Sequence, residues 1–220
     1  MATKLNESTA AEMRSAMIDC QLRPTDVIDN DVVRVMGKLA REDFVPAALA
    51  SVAYADRSLP LGAGRVLNAP LVTGSMLMKA EVTAGQRALV IGAGTGYVAT
   101  LIAELGAQVV AVEDNADLRN AAPASAKIDA IQWVDAPLTA GAADKGPFDL
   151  IIIDGAIEEL PDALTDQLVD GGRLITAKRD GAVARLQLGI KTNGILNLRP
   201  YTDMDVAPLA AFAAPKGFQF

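Results

Sequence analysis

The sequence predicts an α/β fold, a mostly parallel sheet with helices on both faces, preceded by a helical N-terminal extension. Three observations predict it. From Arg87 onward short apolar strands alternate with helical stretches, the pattern of a parallel sheet covered on both sides. One strand runs directly into a turn of alternating glycines that opens a helix. Of 220 residues 51% are hydrophobic and 21% charged, a balance that folds without help and buries a large core as a single domain, 1–220.

The elements follow in order. Residues 10–20, 32–39 and 47–54 carry apolar residues at helical spacing, so 1–82 reads as a helical N-terminal part. Within it Leu59-Pro60-Leu61-Gly62-Ala63-Gly64 reads as a loop whose Pro and Gly punctuation stops both helix and strand. A helix at 71–81 follows. The α/β core, 83–220, has strands at 88–91, 109–113, 131–134, 150–154 and 173–177, with helices at 97–105 and 162–168. Segments 184–190 and 195–200 read as antiparallel strands closing one edge, and 121–126 and 139–143 as Ala-rich loops. Trp133, Met76 and Met78 read as packing residues, and the lone Cys20 as a small buried hydrophobe.

Composition removes several function classes. A formal charge of −7 with no Lys/Arg cluster argues against nucleic acid and anionic membrane as partners. The longest apolar runs are strand-length, and Met1-Ala2-Thr3-Lys4 leads into polar residues, so the expected location is cytoplasmic. One cysteine excludes an internal disulfide, and zero histidines exclude the Ser-His-Asp mechanism and the common zinc sites. No metal is expected, and the sequence is silent on oligomeric state.

The strand at 88–91 leads into Gly92-Ala93-Gly94-Thr95-Gly96 and then a helix. Amides at such a helix start face a ligand, and three alternating glycines suggest one pressing on the backbone. The dinucleotide fingerprint places its third glycine at the position of Tyr97, so NAD is disfavoured. The G-x-G-x-G form instead resembles the first motif of class I methyltransferases. Glu113 ends the next strand 21 residues after Gly92, where a carboxylate accepts both ribose hydroxyls. Asp135 follows the third strand, within reach of an adenine amino group. Asp154 ends the fourth, at the carboxyl edge where open α/β sheets bind ligands, facing either the methionine end of a cofactor or a substrate.

A wider likeness joins these features. Met17, Gln21 and Leu22 are followed by Arg41-Glu42-Asp43-Phe44-Val45-Pro46 and Ala53-Tyr54-Ala55-Asp56, similar to R-E-x-F-V-P and A-Y-x-D. The Leu59 to Gly64 loop looks like L-P-I-G-x-G, the turn at 91–97 like I-G-T-G-S-G-Y, and Ala207-Pro208-Leu209 like V-P-L. Together they resemble the protein L-isoaspartyl (D-aspartyl) O-methyltransferases. The resemblance implies a class I methyltransferase (Rossmann-like) fold with S-adenosylmethionine as cofactor. It also implies protein or peptide substrates with isoaspartyl residues, whose carboxylate is methylated in repair of damaged chains.

By that resemblance Gly92, Ala93, Gly94, Gly96, Tyr97, Glu113, Asp135 and Asp154 hold the cofactor. The segment 59–70 is the substrate loop, with Gly64, Arg65 and Pro70 touching substrate and Asn68 at the catalytic position. The chain departs from the family in that loop. Arg65-Val66-Leu67-Asn68-Ala69-Pro70 stands where Q-T-I-S-x-P is usual, so Val66 replaces a threonine and Asn68 a serine. Val90 stands in place of an acid that organises the methionine end, Val134-Asp135-Ala136 in place of G-D-G, and Asp154 in place of a small or hydroxyl residue. Two alternatives stay open from sequence: an O-methyltransferase with a different acceptor, and a catalytically degraded cofactor-binding paralogue.

Overall fold

An apolar strand with no polar face is stable only when both sides of its sheet are covered. The computed structural model, which describes residues 6–215, places the strands in that setting. The N-terminal part contributes α1 (Glu7–Met17), α2 (Asn30–Lys38), β1 (Leu59–Gly62), β2 (Arg65–Leu67) and α3 (Pro70–Ala80). There follow β3 (Arg87–Ile91), α4 (Tyr97–Glu104), β4 (Gln108–Val112), α5 (Ala116–Ala121), β5 (Ile131–Val134), β6 (Phe148–Ile157), α6 (Asp162–Thr165), β7 (Leu168–Asp180), β8 (Val183–Thr192) and β9 (Ile195–Asp203). The seven-stranded sheet has the order β5-β4-β3-β6-β7-β8-β9. Its first five members are parallel, and β8 and β9 extend it antiparallel.

Strand alternation sorts the core into two layers. Ala88, Val90, Val109, Ala111, Leu150 and Ile152 face α3, α4 and the N-terminal helices. Leu89, Ile91, Val110, Val112, Ile151 and Ile153 face Leu138, Phe148, Leu164, Leu209 and Phe212. The N-terminal helices hold their places through local signals. Asn6 caps α1, and Asp29 caps α2 by accepting from the amides of Asp31 and Val32. Met17, Leu22, Val35 and Met36 then join the same buried cluster as Met76 and Leu77 of α3.

Several sequence expectations need correction. Leu59 to Gly64 is not a loop that excludes strand: β1 and β2 form a hairpin with Ala63 and Gly64 at φ 50° and 72° in its turn. Positive φ at both turn residues is the hairpin geometry that matches strand twist, and Pro60 is tolerated because a two-stranded ribbon has free edges. Residues 47–52 form a 3-10 turn rather than an α-helix. The helix expected at 162–168 is only α6, because Leu168 already pairs with Phe148 in the sheet. Strand β6 runs past Asp154 to Ile157, with a register irregularity between Ile152 and Ala156. Cys20 is exposed: Met17, Ile18 and Leu22 take the buried side of that helical stretch and leave Cys20 outside. The start at residues 1–4 lies outside the described residues.

Candidate active site

Parallel register aligns the expected residues along one edge. Ile91 pairs with Val112 and Ile153, and Val112 with Val134. One residue further on, Gly92, Glu113 and Asp135 therefore follow the carboxyl ends of three adjacent strands, and Asp154 stands level with them inside the longer β6, at the edge where open α/β sheets take ligands.

The glycine turn has φ of 71°, 56° and 94° at Gly92, Gly94 and Gly96, a region costly for any residue with a Cβ. Protein groups press on each of them. A Cβ on Gly96 would stand 2.8 Å from Trp133, one on Gly94 3.1 Å from Leu61, and one on Gly92 3.2 Å from Leu209. Packing against protein groups is thus by itself a reason for glycine at each of these positions. The expectation that the turn's amides face a ligand changes: Gly92 and Ala93 donate to Val112 O, Gly94 to Glu113, and Gly96 to Ala93 O. Trp133 is fixed behind the turn by Nε1 donating to Ala126 O at 2.8 Å. The side chain of Tyr97 is buried in the core, edge-on to Phe44 at 5.2 Å and beneath the Arg41 guanidinium at 4.8 Å.

Glu113 is completely buried. Its Oε2 accepts from Gly94 N at 2.8 Å and its Oε1 from Asn115 N at 3.2 Å. Arg65, from β2, approaches both oxygens, with Nε 3.4 Å from Oε2 and a terminal nitrogen 3.3 Å from Oε1. That same nitrogen lies 2.7 Å from Asp114. Asp135 is exposed, and Arg119 grips its two oxygens at 3.1 and 2.6 Å.

On the other side of the turn, Asn68 Nδ2 donates to Asp154 Oδ1 at 2.7 Å, and both residues are buried. Asn68 Oδ1 is buried and accepts no hydrogen bond. Burial pushes the Asp154 carboxyl up to about 6, partly offset by the Asn68 hydrogen bond and the Arg41 charge. Arg41 is the residue that sequence reasoning missed as a site element. Fully buried, it donates from Nε to Ala53 O at 2.7 Å and from a terminal nitrogen to Asn68 O. It therefore ties the backbone of the Asn68 position to the helical part. The signal in the sequence was its place at the head of the Arg41 to Pro46 segment that matches R-E-x-F-V-P.

The other motif residues serve the same scaffold. The Tyr54 hydroxyl donates to Glu42 and accepts from Arg14 at 2.9 Å, and Gln21 donates to Tyr54 O at 3.0 Å. Asp56 accepts from Leu71 N, and Pro70 is the first residue of α3, so the helix start is fixed just after Asn68. Gly64 lies exposed in the hairpin turn and Val66 half-buried opposite Pro60. Val90 is buried in the core. Leu209 packs on Gly92 and Gly155, while Ala156 donates to Ala207 O and accepts from Leu209 N.

Asp154 gives a stability test. Its folded-state value is raised above the ordinary 3.8, so the stability linked to this group is present below pH 3.8 and lost as pH rises through about 6. Asp154→Asn keeps an acceptor for Asn68 and cannot ionise. At pH 8 the variant is expected to be more stable than the wild type by roughly 2 to 3 kcal/mol, with the gap closing below pH 4. Denaturant unfolding across pH measures it, and a gap independent of pH would contradict the assigned cause.

A sheet of this order, with a left-handed glycine turn and a buried acid ending the next strand, defines the class I methyltransferase fold. A solved protein described as a putative protein-L-isoaspartate O-methyltransferase from Plasmodium falciparum in complex with S-adenosyl-L-homocysteine superposes with a TM-score of 0.77 at 22% identity, over 90% of this chain and 98% of its own. Another solved protein-L-isoaspartate O-methyltransferase gives 0.76 at 21% identity, over 90% of this chain and 66% of its own. In sequence, the family model for protein-L-isoaspartate(D-aspartate) O-methyltransferase matches residues 12–209. The protein-L-isoaspartate O-methyltransferase of Methanoculleus marisnigri is 37% identical over 192 residues, 80% of this chain and 87% of that protein. The one from Koribacter versatilis is 33% identical over 201 residues, 89% and 90% of the two chains. The chain belongs to the protein-L-isoaspartate(D-aspartate) O-methyltransferase family.

Proposed function

We propose that this protein is a protein-L-isoaspartate O-methyltransferase that esterifies the free carboxylate of isoaspartyl residues in damaged proteins, using S-adenosylmethionine. The observation that carries the reading is the single edge on which Glu113, Gly92 and Asp154 stand in register, with Asn68 brought onto Asp154 from the substrate loop. The residues present fit the cofactor. Glu113 is an acceptor for two ribose hydroxyls, and Asn68 Oδ1 is a buried acceptor in want of a donor. Asp154 beside it supplies the negative charge that Val90 does not, and so suits an α-ammonium group.

When bound, S-adenosylmethionine supplies an electrophilic sulfonium methyl group. The substrate carboxylate is already ionised at neutral pH, so the chain needs no base, which suits a histidine-free protein. Its residues orient and desolvate instead. Asn68 spends one Nδ2 proton on Asp154 and keeps the second for the substrate carboxylate. Arg41, holding the Asn68 carbonyl, fixes the height of that donor above the sheet. Gly64 and Pro70 bracket the peptide path, and Ala93, Gly94, Gly96 and Tyr97 contribute backbone to the cofactor bed, with Asp135 at its adenine end once Arg119 yields.

The whole chain works as one domain in this reading, the segment 1–82 delivering the substrate loop to the core 83–220. Among the described residues no helix is long and apolar enough to cross a membrane. The acidic charge favours protein over nucleic-acid partners, and the site of action is the cytoplasm. Incubation with methyl-labelled S-adenosylmethionine and a matched pair of peptides tests the proposal. Label is expected on the isoaspartyl peptide and not on its aspartyl twin, as a base-labile ester. Equal labelling of both, or of neither while cofactor binds, would refute the substrate assignment.

A further inference from the structure

A buried carboxylate offers about four lone-pair positions. On Glu113 three are taken by hydrogen bonds from Gly94 N–H, Asn115 N–H and the Nε of Arg65, and the terminal nitrogen of Arg65 stands against Oε1 as an ion-pair contact. The two amides are fixed by the glycine turn and by the chain after β4. Arg65 is not fixed in that way, because its contacts to Glu113 are long, 3.3 and 3.4 Å, and its short contact is to Asp114 at 2.7 Å. It also sits on the β1–β2 hairpin, whose Leu61 lies against Gly94.

We propose that Arg65 is a latch that competes with the cofactor's ribose for Glu113, bridging Glu113 and Asp114 from the substrate hairpin until the ribose hydroxyls take its place on Glu113 and leave it on Asp114 alone. This rests on the reading of Glu113 as the ribose acceptor and goes beyond it. Displacement is local: the guanidinium keeps its short contact with Asp114 and surrenders only the two long ones. Cofactor entry is thereby coupled to the position of the Arg65 side chain, while the hairpin, which leads into Asn68, stays tethered through Asp114.

The test is the affinity for S-adenosylhomocysteine, measured by calorimetry on the full chain, with circular dichroism verifying the fold. Arg65→Gln keeps the length of the side chain and removes the charge. It is expected to bind about three- to tenfold more tightly than the wild type, with a larger ligand-induced rise in Tm from a lower starting Tm. Asp114→Asn has the opposite sign: Arg65 loses its alternative anion, stays on Glu113, and affinity falls about twofold to threefold. In a Glu113→Gln background, Arg65→Gln brings no gain. If the wild type binds and Arg65→Gln binds no more tightly, the latch is overturned while the cofactor reading stands. If the wild type fails to bind at millimolar concentration, both fall. A merely structural role for Arg65 predicts weaker binding in Arg65→Gln, the reverse of the latch.

Discussion

Glu113→Ala is expected to weaken S-adenosylhomocysteine binding about 100-fold, the loss of two charge-assisted hydrogen bonds worth roughly 1.5 kcal/mol or more each. The alanine also leaves the amides of Gly94 and Asn115 without their acceptor in a fully buried place, so the glycine turn loses the group that pins it. Unfolding free energy should fall by about 2 kcal/mol in the absence of ligand. Calorimetry and denaturant unfolding read the two effects separately. A binding loss below threefold would remove Glu113 from ribose recognition, whatever happened to stability.

Arg41→Ala is expected to cost about 3 to 5 kcal/mol of stability. The side chain is completely buried, and its removal leaves a cavity beside Tyr97 and two carbonyls, Ala53 O and Asn68 O, without donors. Arg41→Met separates these causes: it refills most of the volume and should lose only the part due to the carbonyls, about 1 to 3 kcal/mol. Both variants also withdraw the positive charge that holds the Asp154 carboxyl down. In them the pH-dependent stability step assigned to Asp154 should move above pH 6, the direction that a lost cation dictates. Urea unfolding at a series of pH values gives both numbers, and an unmoved step would mean that Arg41 does not act on Asp154.

What the sequence makes legible follows from physics that acts over short range. Apolar runs such as Leu150 to Ile153 announce strands covered on both faces, and the interval from Gly92 to Glu113 is set by one helix and two strand ends. The hairpin at 59–67 was hidden because Pro60 and Gly62 imitate loop punctuation, although Ala63-Gly64 before Arg65 is a two-residue turn. Asp154 was read as the end of its strand, whereas β6 continues to Ile157, and its surroundings were not legible either. A register irregularity inside β6 and a partner 86 residues away in sequence, Asn68, decide them. The same holds for Arg65 and Arg41, whose partners come from distant elements and whose importance lies in which oxygens they occupy. Cys20 escaped because a single small residue carries no periodicity of its own.

The wall that Leu209 builds against the glycine turn concerns timing during synthesis. Gly92 and Gly155 are both shaped to receive that side chain, and the backbone of Ala156 is hydrogen-bonded to Ala207 and Leu209. A ribosome delivers β3, β4 and β6 well before it delivers this segment, and contacts so far apart along the chain form late. The nascent polypeptide can therefore assemble the core of its parallel sheet before Leu209 arrives to close against the glycine turn.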